Sequence, residues 1–396
     1  MRKTSLGSGS KDRQLTFVVN HAAFFVSHRL PIAQAAQRCG YKVDLLTGQA
    51  GSMSMELAAE HALMSSGITH CRVAFKSAGI NPVIELWGLL QLVWRLRRQR
   101  PDLVHCASPK GLLYGGLAAR LAGVRGVVLA VSGMGYAFTA AGHKSVLRSF
   151  VGTVYRWLAR LAYGHRNKRV IVQNMDDMRT VLEAGFAKPD EVRLIPGSGV
   201  DLRSLVDAVI ENKLPIILFP ARMLVDKGVL EFVEAARLLK GRVGAWRFVM
   251  AGTADYQNPS SVPRQQIEAW QAEGLVEWLG HVEDMAPLYA QASIVCLPSY
   301  REGMPKALLE AAAAGCAVIT SDTIGCREAI LPGDTGDLVP VRDSRALADA
   351  LLSLIDCRER RERYGHTGRS LAISRYSVDV VVDRTLEIYK ELLKNA

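Results

Sequence analysis

Long hydrophobic runs are missing from this chain. No stretch of about eighteen uncharged apolar residues occurs, so a membrane-spanning helix is not expected. Residues 1–14 are polar and carry Gly and Ser without the apolar core of a signal peptide, and they are read as a disordered leader. The seven cysteines are odd in number and scattered, with no Cys-x2-Cys pair, so they suggest neither a zinc ribbon nor a disulfide framework. Cys296 and Cys316 stand in or beside apolar runs, as buried thiols of a reducing cytosol do. Aromatics are 7% of residues and few interleave with the basic ones, and no nucleic-acid motif appears, so no nucleic-acid partner is expected. No Asp-x-Asp motif stands at a strand end. Asp176 and Asp177 read more simply as the start of a helix.

What is present is globular. At 396 residues, 49% hydrophobic and 22% charged, the chain exceeds one ordinary core and suits two α/β domains. Short apolar strands at Leu15–Val19, Tyr41–Leu46, Leu103–His105, Gly126–Val131 and Arg169–Val172 alternate with helical stretches. Asn20–Arg29 reads as a turn into a helix begun by Pro31. This rhythm predicts a parallel sheet with helices on both faces, whose ligands bind beyond the carboxyl ends of its strands. Pro and Gly punctuate Leu194–Leu202, and the rhythm then restarts with strands near Pro215–Phe219, Trp246–Ala251, Val276–Leu279, Ser293–Leu297 and Ala317–Ser321. The expected domains are 15–200 and 201–375, with a helix over 376–396 packing back on the first. Net charge is +11 and unevenly spread: residues 1–200 hold 26 Lys/Arg against 11 Asp/Glu, the remainder 23 against 27. The basic first half suits an anionic membrane surface or a phosphate-bearing substrate.

Two stretches carry candidate chemistry. In Phe219–Gly228, Arg222 and Lys227 stand five residues apart in a loop after a strand, ahead of a helix. Arg offers a bidentate fork and Lys a point charge, a pairing that suits a diphosphate. In Pro298–Glu328, a buried strand delivers the chain to a loop and then to a helix, with Pro305 expected at its first position and Gly315 at its left-handed C-terminal cap. The N–H groups of Gly303, Met304 and Lys306 face the start of that helix, where an anion or an array of hydroxyl oxygens is favoured. Glu302 precedes the helix and Glu310 lies within it, so the two carboxylates can bracket one ligand along its length.

The Glu-Gly-Met-Pro run followed by Leu-Leu-Glu-Ala resembles the nucleotide-sugar motif of glycosyltransferase family 4, the retaining group 1 transferases of GT-B fold. The resemblance also takes in Ile195–Asp201, Arg222 with Lys227, Gly280 with His281, Gly325–Glu328 and Val339–Asp343. It implies an α/β fold of GT-B type, two Rossmann-like doubly wound domains facing each other across a cleft. It further implies that Arg222 and Lys227 bind the donor diphosphate and Glu310 the nucleotide ribose, with His281 near the base. Glu302 and the backbone of Gly303, Met304, Pro305 and Lys306 would take the donor sugar. The reaction implied is front-face attack without a protein nucleophile, giving an α-linked product. With two cations and a helix start at the diphosphate, neither a metal nor another cofactor is expected.

The first half resembles a branch that builds bacterial surface and lipid-linked glycans, through Ser27–Pro31, Val104–Lys110, Tyr114–Gly116 and Ser132–Tyr136. Expected there are His105 as an active-site residue, a structural strand-end histidine being the alternative, and His28, Arg29 and Lys110 facing the acceptor, with Arg29 equally suited to solvating a helix start. Ala107 and Ser132 stand where many members carry histidine. The expected partners are a nucleotide sugar (UDP favoured), a polyprenyl-diphosphate-linked or other glycan acceptor, and an anionic membrane surface on the cytoplasmic side. Two amphipathic stretches point to that surface: Val83–Arg100, with Leu86, Trp87, Leu90, Val93 and Trp94 ahead of an arginine cluster, and Ser145–Arg166, with Arg148, Arg156, Arg160 and Trp157. A sheet-packing helix with solvated arginines reads equally well from the same pattern. A non-catalytic nucleotide-sugar-binding subunit and a nucleotide-sugar epimerase of the same fold remain the alternatives.

Overall fold

The computed structural model describes residues 13–49, 53–76, 81–132, 157–206, 213–255 and 258–394. It divides into two compact units. One comprises the chain through Val172, Met178–Leu194 and everything from Val382 on; the other comprises Gln173–Asp177 and Ile195–Val381. The leader reading falls mostly outside the described residues, but Arg13 and Gln14 belong to the first strand.

The first unit is built on β1 (Arg13–Val19), β2 (Tyr41–Gln49), β3 (Thr69–Lys76), β4 (Leu103–Ala107), β5 (Gly126–Ala130), β6 (Lys168–Val172) and β7 (Val192–Leu194). They form one parallel sheet in the order β3-β2-β1-β4-β5-β6-β7. Its described helices include α1 (Ala22–His28), α2 (Leu30–Arg38), α3 (Met53–Ser66), α4 (Pro82–Gln99) and α5 (Pro109–Ala122). Asn20–Arg29 is therefore not simply a turn. Its helix lacks a Ser, Thr, Asp or Asn cap, and the His21 ring nitrogen accepts the Phe24 N–H instead. The edge strand β3 had no clear signature, because its burial alternates only near Val73–Phe75.

The second unit contains β8 (Leu214–Pro220), β9 (Arg247–Ala251), β10 (Glu277–Trp278), β11 (Ala292–Leu297), β12 (Ala317–Ser321) and β13 (Gly336–Val339), all parallel, in the order β10-β9-β8-β11-β12-β13. In sequence α6 (Met175–Glu183) lies between β6 and β7, and α7 (Leu202–Val206) follows β7. The second sheet carries α8 (Val229–Leu239), α9 (Arg264–Ala272), α10 (Ala286–Gln291), α11 (Lys306–Ala313), α12 (Ser344–Asp356) and α13 (Arg358–Leu371). Phe219, Phe232 and Phe248 pack ring to ring beneath this sheet, with centroids 5.2 and 5.5 Å apart. Leu308 and Leu309 anchor α11 with no exposed surface, each worth about 1.5–3 kcal/mol of apolar burial.

In each sheet the chain starts in the middle, winds outward, then returns to the other side. The direction reverses between β1 and β4 and between β8 and β11. A doubly wound sheet leaves its ligand crevice at that switch point, beyond the carboxyl ends of the two strands. The last helix, α14 (Val378–Lys394), joins the first unit from Val382 onward. Glu391 accepts from Arg169 and Arg193 at 2.6 and 2.8 Å, which holds its carboxyl below the usual range.

Candidate active site

The loops at the second switch point meet through their backbones. Gly228 closes the loop after β8 at φ +77°, and a Cβ there would lie 2.2 Å from the Pro298 carbonyl oxygen after β11. Only glycine permits that approach. Tyr300 N–H donates to the Asp226 carbonyl at 2.9 Å, stitching the same two loops. Their side chains converge as a result: Lys227 Nζ lies 2.5 Å from Glu302 Oε1, and Ser299 Oγ donates to that oxygen at 2.7 Å. Arg222, half exposed, donates to Asp255 Oδ2 at 2.6 Å. Each cation expected to hold a diphosphate is thus paired with a carboxylate.

Glu302 N–H donates to the Ile324 carbonyl at 3.0 Å, and Gly325 packs so closely that a Cβ would meet the carbonyl oxygens of Glu302 and Gly303 at 2.4 and 2.6 Å. Pro305 is not the first helical residue. It is the N-cap, with ψ 106° ahead of a helix that starts at Lys306; its fixed φ fits both positions. Gly315, at φ +72°, follows the C-cap Ala314. Among the described residues, the N–H groups of Gly303, Met304 and Lys306 make no hydrogen bond, and all three residues are partly exposed. Glu310 lies two turns away from Glu302's loop on the same segment, with Lys306 Nζ at 3.4 Å. Beneath it the Tyr289 hydroxyl is held well above its usual range, by burial first and then by the Glu310 charge. His281 is exposed after Gly280, whose carbonyl accepts the Gly252 N–H at 2.7 Å.

Three further residues complete this loop. Cys326 is buried with its thiol pushed up to about 12, by burial and then by the Glu302 charge. Glu328 accepts the Gly325 N–H at 2.8 Å, and burial raises its carboxyl. Asn174 donates from Nδ2 to the Gly303 carbonyl at 2.7 Å. The Gly325–Glu328 stretch was visible as a motif without roles. Asn174 had no sequence signal beyond lying in a loop after β6.

In the first unit Arg29 and His105 lie near enough for the Arg29 charge to act on the His105 ring, while His28 and Lys110 have other partners. His28 stacks on Phe24 with centroids 4.7 Å apart. Arg29 is buried; it donates to the His28 carbonyl at 2.9 Å and to Ser132 Oγ at 3.3 Å, and burial lowers its guanidinium to about 10. Lys110 Nζ pairs with buried Glu85 at 2.7 Å and donates to the Lys76 carbonyl. The start of α5 is occupied by a side chain: Asn20 Oδ1 accepts from the N–H groups of Lys110 and Gly111 at 3.0 Å each. The strand bound at His105 calls for a correction. This residue is not at a strand end, since β4 continues to Ala107; it stacks on Phe17 and its Nδ1 lies 2.6 Å from the Tyr389 hydroxyl of α14. Burial first and then the Arg29 charge hold the ring well below the usual histidine range, and its Nε2 has no hydrogen-bond partner among the described residues. Residues 133–136 and 145–156 of the expected acceptor loop and second basic helix lie outside the described residues.

Among the described residues, no group of three or more His, Cys, Asp or Glu side chains could hold a metal ion, and no helix is long and apolar enough to cross a membrane. Two doubly wound parallel sheets, the second with paired cations and a Glu-x7-Glu segment at its switch point, define the GT-B class of glycosyltransferase. The family comparison is specific. Residues 27–197 match the glycosyl transferase 4-like domain and residues 214–357 match the glycosyl transferases group 1 model, and the chain belongs to this family. It is 29% identical over 335 residues, 81% of this chain and 85% of the relative, to the N,N'-diacetylbacillosaminyl-diphospho-undecaprenol alpha-1,3-N-acetylgalactosaminyltransferase of Campylobacter jejuni. It is 26% identical over 329 residues, 80% of this chain and 82% of the relative, to the UDP-Gal:alpha-D-GlcNAc-diphosphoundecaprenol alpha-1,3-galactosyltransferase of Escherichia coli. Among solved structures, Anabaena HepE in complex with UDP and glucose shares the fold with a TM-score of 0.74 at 17% identity, covering 96% of this chain and 100% of that one.

Proposed function

We propose that this glycosyltransferase moves a sugar from a nucleotide diphosphate, with UDP favoured, to a glycan carried on a polyprenyl diphosphate, with retention and without a metal. The observation that carries the reading is the meeting of Lys227 and Glu302 where two strand-end loops join. An entering diphosphate competes for Lys227 and Arg222, and releases Glu302 to the sugar hydroxyls. Glu310 takes the ribose, and His281 lies toward the base. As the glycosidic bond breaks, negative charge grows on the leaving diphosphate. Two cations and the open N–H groups at the start of α11 oppose it in fixed positions, which is electrostatic catalysis. The acceptor hydroxyl attacks from the same face, and its proton passes to a leaving phosphate oxygen, so no protein nucleophile is required. Relatives named for undecaprenyl-diphosphate acceptors support the lipid-linked substrate.

A cytoplasmic-side membrane contact is part of this reading, and α4 supplies it. Val83, Leu86, Trp87, Leu90 and Trp94 are all more than half exposed, at helical spacing, while Leu92, Val93 and Leu96 face the core. Arg97, Arg98 and Arg100 follow, with Arg98 over the Trp94 ring at 5.4 Å. An apolar stripe ending in cations suits the boundary of an anionic bilayer.

The direct test is transfer. UDP-sugars supplied with a polyprenyl-diphosphate-linked N-acetylhexosamine acceptor should give an α-linked product, in the presence of EDTA as well as without it. Donor hydrolysis alone, a β-linked product, or a strict metal requirement would each overturn the corresponding part of the reading.

A further inference from the structure

We propose that Asn174 is a positioning residue for the transferred sugar, acting through the Gly303–Met304 peptide; the inference rests on the donor-site reading above. Asn174 is 1% exposed, and its side-chain amide makes three hydrogen bonds. Nδ2 donates to the Gly303 carbonyl at 2.7 Å and to Asp177 Oδ2 at 2.9 Å, while Oδ1 accepts the Asp177 N–H at 2.7 Å. That pattern fixes which end of the amide is which. The Asp177 N–H can only donate and the Gly303 carbonyl can only accept, so a flipped amide would lose both contacts. Asp177 itself has no exposed surface, and Arg301 Nη2 lies 3.8 Å from its carboxylate, so the clamp is held at both ends.

The consequence reaches the ligand side through covalent geometry. In a trans peptide the carbonyl of one residue and the N–H of the next point in opposite directions. Holding the Gly303 oxygen against Asn174 therefore turns the Met304 N–H away from it, and that N–H has no hydrogen-bond partner among the described residues. The other side of the loop is equally constrained. Gly325 lies against the same Gly303 oxygen, where a Cβ would come within 2.6 Å, and the Glu302 N–H is held by Ile324. A peptide pinned on both sides presents a preset donor to a sugar oxygen, next to the Glu302 carboxylate. The nucleotide end of the site, at Glu310, does not depend on this peptide.

The test uses the whole protein with UDP, UDP-N-acetylgalactosamine and UDP-galactose as probes, in calorimetry and single-turnover transfer. Asn174→Ala should leave the UDP dissociation constant within about twofold. It should lower the rate of transfer roughly tenfold, the scale of one lost buried hydrogen bond. Asn174→Ser, which keeps a shorter hydroxyl donor, should fall between Ala and wild type, and replaces Ala should that variant not fold. A parallel fall in UDP affinity and turnover, or wild-type turnover in a folded variant, overturns the role of Asn174. Failure of the donor-site reading is separately visible, because wild-type protein and Glu310→Gln would then bind UDP alike.

Discussion

At the scale of single residues, the two glutamates of the Glu-x7-Glu segment have different surroundings. Glu302 is held by Lys227 and Ser299 in a loop, whereas Glu310 sits on α11 above the buried Tyr289. Their losses should therefore differ. Glu310→Gln should weaken free UDP and UDP-sugar alike, by roughly 1.5–3 kcal/mol if one charge-assisted hydrogen bond is lost. Glu302→Gln should spare UDP and appear in single-turnover rates, because its contact strengthens as the sugar gains oxocarbenium character. Equal loss of UDP binding in the two variants would show that the roles along this segment are wrongly divided. The pair stood out through its resemblance to the family motif rather than through spacing alone; what neither could announce was that Lys227 closes on Glu302, since that depends on the Gly228–Pro298 backbone contact. His105 shows the opposite limit. A histidine beside a predicted strand end carries no mark of whether its ring meets solvent or, as here, Phe17 and Tyr389.

At the scale of elements, strands with continuous apolar runs were readable within one to three residues, because burial on both faces demands them. Ala317–Ser321 is an example, its bounds matching the structure residue for residue. Elements that lean on tertiary partners were not readable: α1, capped by a histidine, and β3, an edge strand with mixed polarity. Helix α4 was legible as amphipathic but not as to which face is covered. The structure buries Leu92, Val93 and Leu96 and leaves Trp87 and Trp94 out. Replacing both tryptophans by Ser should reduce co-sedimentation with anionic liposomes while leaving the folded stability within about 0.5 kcal/mol, the range of surface changes. Wild-type binding should fade with salt, as exposed charges are screened beyond about 8 Å at physiological ionic strength. Retention of liposome binding by the double variant, or binding indifferent to lipid charge, would rule out α4 as the contact.

At the scale of the whole molecule, one plan is used twice. Each sheet reverses its winding at its fourth strand, but the two switch points are furnished differently. In the first unit the side chain of Asn20 occupies the start of α5, and Lys110 is spent on Glu85. In the second, the N–H groups of Gly303, Met304 and Lys306 make no hydrogen bond among the described residues, and two cations in the neighbouring loop are paired with carboxylates. This asymmetry favours the proposed place of the diphosphate, in the second unit. Charge balance alone would have pointed elsewhere, since the basic excess lies in the first 200 residues. Calorimetry of UDP and uridine against wild type and Lys227→Ala tests this assignment most directly. UDP affinity should fall roughly ten- to a hundredfold in the variant, the scale of one charge-assisted contact, with uridine affinity unchanged within about twofold. Equal losses for UDP and uridine, or no loss for either, would contradict it.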